Sequence, residues 1–337
     1  MQKIILVSCA MLALTAIGCM PEGGFLVRPV PVSEKLEESV VGGEQGLFVS
    51  DKIAVIDVSG MIMNASTSGL LGMGSGDNPT DIFLQKIDRV ACDSDVKAVV
   101  LRINSPGGGV TASDIMYRRL CELKANRHIP VVACIEDVGA SGAYYLSCGS
   151  DVIMAHPTAV TGSIGVIVQT MSIAGTLNKI GVDTKAITSG PNKDMGSPLK
   201  PLDPKDMELL QGIVNDDYER FLGIVRKGRP KLAELSMPAL KAIADGRIYT
   251  ANQAKANGLI DEIGYVDDAV CKARKLAGVT KARTVMYHKP LGYKENVYSQ
   301  SSAMPAGGTQ VNLVNISAAG LLDLTRPQIL YLWTGKN

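Results

Sequence analysis

An α/β fold is predicted by three features of the chain. Short apolar runs alternate with longer helix-like stretches, Gly, Pro and Asn punctuate the joints, and the chemically capable residues gather where apolar runs end. Open α/β sheets place their sites at strand ends, so the alternation and the clustering point to one architecture.

The elements follow in chain order. Met1-Gln2-Lys3 opens onto a fourteen-residue apolar run, Ile4 to Ile17. That run falls short of the roughly twenty residues needed to cross a bilayer and fits a signal peptide. Leu14-Thr15-Ala16-Ile17-Gly18-Cys19 resembles a bacterial lipobox, with Ala16 where a larger aliphatic residue is usual. Lipidation of Cys19 is expected, with ordinary cleavage nearby or an uncleaved, tilted anchor as alternatives. All three export the bulk of the chain. Residues 1–19 are therefore read as the signal, and residues 20–50, with Pro21, Pro29, Pro31, Gly42, Gly43 and the acidic pair Glu37 and Glu38, as a flexible tether. Residues 51–288 form the folded domain and residues 289–337 a C-terminal extension.

Within the domain, strands are predicted near Ile53 to Val58, Val96 to Ile103, Pro130 to Ile135, Val152 to Ala155 and Thr184 to Ile187. Helices are predicted at Asp81 to Val90, Ala112 to Lys124, Ser141 to Cys148 and Pro204 to Lys227. The Gly/Ser-rich stretch from Asn64 to Pro79, bearing Leu70, Leu71 and Met73, reads either as a surface loop or as an apolar lip that meets a membrane or guides an extended peptide. After Pro290 the chain turns polar, carries Val311 to Leu322, and ends Arg326-Pro327-Gln328-Ile329-Leu330-Tyr331-Leu332-Trp333 with its single tryptophan. This tail either docks on its own domain or a neighbour, or lies in a peptide groove and restrains activity.

Composition narrows the chemistry. A net charge of +1 gives no cue for nucleic acid. Of seven cysteines, Cys9 lies in the signal and Cys19 at the lipid site; Cys92, Cys121, Cys134, Cys148 and Cys271 are odd in number, sit in apolar contexts and read mostly as small buried hydrophobes. No C-x-x-C or paired-histidine spacing occurs, so no metal or other cofactor is expected. His128, His156 and His288 stand in no catalytic-looking setting.

Ser141 is the most informative residue. It sits in Val138-Gly139-Ala140-Ser141-Gly142-Ala143-Tyr144-Tyr145, a small-residue corner leading into a helix. Backbone N–H groups at such a helix start are free to hold a developing negative charge. Upstream, Ile103-Asn104-Ser105-Pro106-Gly107-Gly108-Gly109 follows an apolar strand and offers a second set of donors. Two donor-rich turns flanking one serine suggest acyl transfer. With histidine a poor base here, a lysine kept neutral by burial is the alternative. Lys193 is the lysine to consider, in the Gly- and Pro-punctuated loop Thr188 to Pro198, although most loop lysines are only solvated charges.

From about Asp51 to Tyr287 the chain resembles the half-length signal peptide peptidase A family, Ser/Lys serine proteases of the crotonase-like, Clp-like superfold. The resemblance rests on Asn104 to Gly109, Ala140 to Tyr145, Thr161-Gly162-Ser163-Ile164-Gly165-Val166, Ser189-Gly190 through Ser197-Pro198, and Ala244-Asp245-Gly246-Arg247-Ile248-Tyr249. It implies a domain of repeated β-β-α units, Ser141 as nucleophile, Lys193 as general base, the Gly108 and Gly142 N–H groups as oxyanion donors, and Ser163 as the hydroxyl that orients the lysine. It also implies peptide substrates such as signal-peptide remnants, a membrane anchor, and a ring-shaped homo-oligomer in which Ser141 and Lys193 can come from adjacent protomers. The family often has Gly-Gly after the nucleophile, where this chain has Gly142-Ala143; one added methyl keeps the N–H. A lysine base must be deprotonated near neutral pH, so burial of Lys193 away from acids, with Asp194 pointing elsewhere, is expected.

Three competing readings carry less support. Gly107, Gly109 and Ala112 satisfy a dinucleotide-binding spacing, but Asn104-Ser105-Pro106 intervenes after the strand and no acid ends a second strand about twenty residues on. A crotonase-type acyl-CoA enzyme needs no Ser141 and Lys193 pair. A catalytically silent membrane scaffold would be marked by loss of one of the two, and both are present.

Overall fold

The computed structural model describes residues 35–44, 46, 49–64, 78–201, 203–290, 294–299 and 328–334. The signal, Cys19, Leu70, Leu71, Met73 and the stretch Val311 to Leu322 lie outside the described residues. In chain order the strands are β1 (Glu37–Gly43), β2 (Lys52–Ser59), β3 (Val96–Ser105), β4 (Gly107–Gly109), β5 (Val131–Ala140), β6 (Val152–Ala155), β7 (Val160–Gly162), β8 (Ile167–Gln169), β9 (Ile248–Thr250), β10 (Glu262–Ile263), β11 (Arg283–His288) and β12 (Gln328–Leu332). The helices are α1 (Pro79–Cys92), α2 (Val110–Arg127), α3 (Gly142–Ser147), α4 (Ala174–Lys179), α5 (Pro204–Gly228), α6 (Pro230–Ala233), α7 (Met237–Ile243), α8 (Ala251–Ala256) and α9 (Val266–Leu276).

The main sheet runs β1-β11-β2-β3-β5-β6-β10, with β7 and β9 branching from β5. From β11 to β10 neighbouring strands are parallel, and β1 alone closes that row antiparallel. Parallel strands buried on both faces read as continuous apolar runs, which is why β2, β3 and β5 are visible in sequence. Their side chains still alternate: Ala54, Ile56, Leu101 and Ala133 enter one core with α1, α2, α3 and α5. Ile53, Val55, Val100 and Val132 enter a second core against α9.

The helices start where their residues dictate. Asn78 caps α1 by accepting from the Thr80 and Asp81 amides, Pro79 takes the first turn, and Phe83, Ile87 and Val90 form the buried stripe. Asp203 caps α5 in the same way. Only the second half of α5 is anchored, through Phe221, Leu222 and Val225; Met207, Leu209 and Ile213 in its first half face solvent. Two ion pairs, one buried and one partly exposed at its acid, fix helices to the sheet. Lys86 of α1 reaches Asp57 of β2 at 2.6 Å, and Arg229 grips the Asp261 carboxylate with two 2.7 Å bonds.

Three expectations need correction. Glu37–Gly43, assigned to the tether, is the edge strand β1: Val40 pairs with Val285 and Val41 is buried, so the acidic start of the segment conceals a half-buried strand. Thr184 to Ile187 forms no strand, because no strand among the described residues pairs with it and Ile187 is 99% exposed. Cys92 and Cys271 are exposed rather than buried, since each sits on a helix face turned away from the cores; Cys134 and Cys148 are buried as read.

Candidate active site

The corner after β5 is made by one unusual residue. Ser141 has φ 54° and ψ −116°, a conformation that side-chain-bearing residues avoid, and it turns the chain from β5 directly into α3. Its amide donates to the Gly162 carbonyl at 2.8 Å, and the Tyr145 amide donates to its own carbonyl at 2.8 Å. Main-chain bonds on both sides therefore hold the strain in place. The side chain is 1% exposed, and among the described residues its hydroxyl has no hydrogen-bond partner.

Gly107–Gly109 runs alongside this corner as β4. The Ile62 amide donates to the Gly107 carbonyl and the Gly109 amide donates to the Ile62 carbonyl, both at 2.8 Å. That parity turns the Gly108 N–H to the opposite side of β4. A side chain at Gly108 would overlap the Ile62 carbonyl, and one at Gly142 would overlap the Ser113 hydroxyl while lying 3.3 Å from the Gly108 nitrogen. Only glycine permits this approach, and it brings the Gly108 and Gly142 amides together beside Ser141. Ala143 is fully buried with its carbonyl accepting from Ser147 at 2.8 Å, so the extra methyl is accommodated in the core.

Ser163 follows the end of β7, has φ 49°, is nearly buried, and donates its amide to the Arg247 carbonyl at 2.7 Å. Because its neighbour Gly162 accepts the Ser141 amide, Ser163 belongs to the same cluster. Thr161 fastens β7 to β5 by donating to the Gly139 carbonyl at 2.6 Å.

Lys193 is not brought into this cluster. It is exposed, contrary to the burial expected of it, and among the described residues its amine has no hydrogen-bond or ion-pair partner. Asp194 points away as expected, pairing with Lys200 at 2.9 Å, and Lys200 also reaches Asp206 at 2.7 Å. The physical reason lies in the arm from Ile167 to Asn215, which carries Lys193. Among its described residues only Ala174, Gly196 and Asp206 are buried, while Met171, Ile180, Ile187 and Met207 project into solvent.

The histidines stand apart from Ser141. His128 caps α2 in a left-handed conformation, His156 packs on Tyr265 at 5.0 Å, and His288 bonds the Ser39 hydroxyl at 2.7 Å. Burial lowers the His156 pKa, with Asp137 opposing the shift.

Sequence reasoning missed the aromatic wall beside the corner. Tyr145 packs edge-on against Tyr117 at 5.3 Å and Phe221 at 5.1 Å, and its hydroxyl donates to Asp114 at 2.6 Å. Burial and that bond push the Tyr145 phenol well above its ordinary value. Arg220 of α5 bonds the same carboxylate at 2.6 Å. Tyr144-Tyr145, two aromatics directly after the Ser141 corner, was the available signal.

The tail was also underread. Lys294 to Ser299 docks on the sheet, where buried Arg102 donates to the Val297 and Ser299 carbonyls. β12 then lies antiparallel between β4 and β8, joining them into a second, three-stranded sheet. The expectation that the tail docks on its own domain thus holds for both described segments, Lys294 to Ser299 on the sheet and β12 beside Gly108.

Residues 124–280 match the family described as peptidase family S49. Over 236 residues the chain is 37% identical to an Enterococcus faecium protein assigned as signal peptide peptidase SppA, covering 70% of this chain and 67% of that one. Over 271 residues it is 34% identical to a Methanocaldococcus jannaschii protein assigned as a protease, covering 80% and 84% respectively. Protease 4 of Salmonella typhi is 37% identical over 226 residues, which is 67% of this chain and 34% of that longer one. Relatives that align over most of both lengths leave one assignment: this chain belongs to peptidase family S49 and is a serine peptidase.

Proposed function

We propose that the chain is an exported, membrane-associated endopeptidase that cleaves signal-peptide remnants and other extended peptides through Ser141 and Lys193. The observation that carries this reading is the strained corner at Ser141 with the Gly108 and Gly142 amides beside it. The Ser141 hydroxyl attacks the scissile carbonyl while the neutral Lys193 amine takes its proton. The two glycine amides steady the oxyanion. Lys193 then protonates the leaving amine, and water, deprotonated by the same amine, frees the acyl group. Ser163 orients the lysine.

Lys193 reaches the nucleophile from a neighbouring copy of the chain. Two observations favour this arrangement: a serine hydroxyl and a lysine amine both left without partners, and an arm whose apolar residues have no core of their own. Docking that arm on the next protomer buries its apolar side chains together with Lys193, and burial lowers a lysine pKa toward the value a base requires. Contacts of this head-to-tail kind close into a ring. Cleavage removes the N-terminal apolar run, the lipid on Cys19 holds the ring at the outer face of the membrane, and the fold is read as crotonase-like.

The test is peptidase activity on a fluorogenic signal-peptide-like substrate, with Ser141→Ala and Lys193→Ala each alone and then mixed during assembly. Each variant alone is inactive with its oligomer intact. Mixing restores activity, up to about a quarter of the sites, because the intact serine of one variant meets the intact lysine of the other. Activity retained by Lys193→Ala points to another base, and no recovery on mixing places both residues in one chain.

A further inference from the structure

A cavity opens on the face of the main sheet away from Ser141. Ala143, Tyr144 and Tyr145 behind the Ser141 corner belong to the first core, whereas Val41, Ile53 and Val297, which floor this cavity, belong to the second. It holds ≈ 380 Å³ between β1, β11 and α9, bordered on one side by Asn296 and Tyr298 of the docked segment. That size is ordinary for a small-ligand site. Its origin is local. Gly42 stands opposite Thr284 in the pairing of β1 with β11, and a methyl built on Gly42 would meet nothing nearer than the Thr284 Cβ at 3.9 Å.

Three polar groups line the cavity with little or nothing to bind. Thr284 is 3% exposed, yet its hydroxyl has no hydrogen-bond partner among the described residues. Arg274 of α9 has no hydrogen bond or ion pair from its side chain among them either. Asp267, on the same helix, receives only the Tyr298 hydroxyl at 3.4 Å. At 1.5 Å per residue, positions 267 and 274 stand about 10 Å apart along α9, and no ion pair joins them. The cavity therefore has an acid at one end, a base at the other and an apolar floor between.

We propose that this cavity binds a short apolar peptide with both termini free, its ammonium at Asp267, its carboxylate at Arg274 and its side chain on Val41, Ile53, Val270 and Val297. The separation of the charges sets the length. A single amino acid carries its two charges on neighbouring atoms, whereas three extended residues at 3.3–3.6 Å each span about 10 Å. Between the ends, the Thr284 hydroxyl and the Asn296 side-chain N–H groups serve the peptide units; the Asn296 oxygen is already taken by the Tyr298 amide at 2.9 Å. A fatty acid would leave Asp267 facing its chain, and an organic cation would leave Arg274 unanswered. Short peptides are what an endopeptidase releases, so that reading supplies a source for the ligand; the site itself rests on the cavity alone.

The experiment is isothermal titration calorimetry on the full chain carrying Ser141→Ala, which keeps the ligand from being cut, with the tripeptide Ala-Leu-Ala, its N-acetylated form and its C-terminal amide. Capping either end weakens binding about tenfold or more, as loss of a hydrogen bond to a charged group does. Arg274→Gln brings the free acid down to the level of the amide and leaves the effect of acetylation intact, and Asp267→Asn does the converse. Gly42→Val fills the space beside Thr284 and abolishes binding; circular dichroism checks that each variant is folded, and the two charge variants decide the matter if Gly42→Val is not. No binding of the uncapped tripeptide, equal affinity for free and capped forms, or binding that survives Gly42→Val overturns the proposal. Decanoate binding more tightly than the tripeptide also overturns it, in favour of an acyl-chain site. The endopeptidase reading fails separately: a wild type that binds the tripeptide in this way but cleaves nothing keeps the site and loses the peptidase mechanism, and cleavage without such binding does the reverse.

Discussion

Ser141→Gly should leave the folded chain more stable than Ser141→Ala, although both variants lack the hydroxyl proposed as nucleophile. The comparison isolates the Cβ at φ 54°, ψ −116°. Neither substitution costs a side-chain hydrogen bond, because the hydroxyl has no partner among the described residues. Strain of this kind is worth about 1–3 kcal/mol, and glycine returns about 0.5–1 kcal/mol through the greater freedom of its unfolded chain. The net gain is therefore about 1 kcal/mol, which for a slope of about 3 kcal/mol/M moves the urea midpoint up by about 0.3 M. Urea unfolding followed by far-ultraviolet circular dichroism, at one protein concentration and with equal slopes, reads the difference. A midpoint for Ser141→Gly at or below that of Ser141→Ala would refute the claim that the corner stores strain on behalf of chemistry.

Gly142→Ala should lower kcat/KM by about tenfold or more, since its methyl overlaps the Ser113 hydroxyl and crowds the converging amides; adding Ser113→Ala recovers part of the loss, and a double-mutant cycle on kcat/KM that shows simple additivity contradicts the stated collision. Acid stability should report on Asp57: burial raises its carboxyl, but Lys86, helped by Arg102 and Lys294, outweighs burial and holds it at about 2. A lowered folded-state value means that the unfolded chain takes the proton first, so about 2 kcal/mol present above about pH 4 disappears as pH falls through 2. In Asp57→Asn that stretch of the stability curve flattens, and an unchanged acid limb rules the pair out as its cause. Arg229→Met removes both bonds to the partly exposed Asp261 carboxylate and should cost about 1–2 kcal/mol in chemical unfolding, and an unchanged midpoint would show that water replaces the guanidinium.

Legibility in the sequence followed physical causes. Continuous apolar runs such as Val96 to Ile103 are visible because parallel strands are buried on both faces, and Asn78-Pro79 announces α1 by its capping chemistry. The three glycines of β4 carry no strand preference, so a strand there is imposed by Ile62 and Tyr331 on its flanks. β1 is hidden by its acidic start and β10 by having only two residues. At the site, Ser141, Gly108, Gly142 and Ser163 were readable as motif residues and lie in one cluster. Lys193 was readable as a loop lysine that the resemblance raised to a candidate base, and its exposure was not foreseen, because the arm that carries it buries few of its side chains. Tyr331 was only part of an apolar ending, since its ring packs against Tyr145 and Phe221, remote in sequence.

The glycine strand β4 bears on what the enzyme ignores. In the endopeptidase proposed above, a flank made of Gly107, Gly108 and Gly109 meets a bound peptide with backbone alone, so on that side one amino acid is worth the same as another. Discrimination is left to pockets on the other walls, read at fixed spacing along the strand. Such an enzyme is indifferent to most of a sequence and attentive to one or two positions, a property suited to clearing many unrelated peptides rather than recognising one.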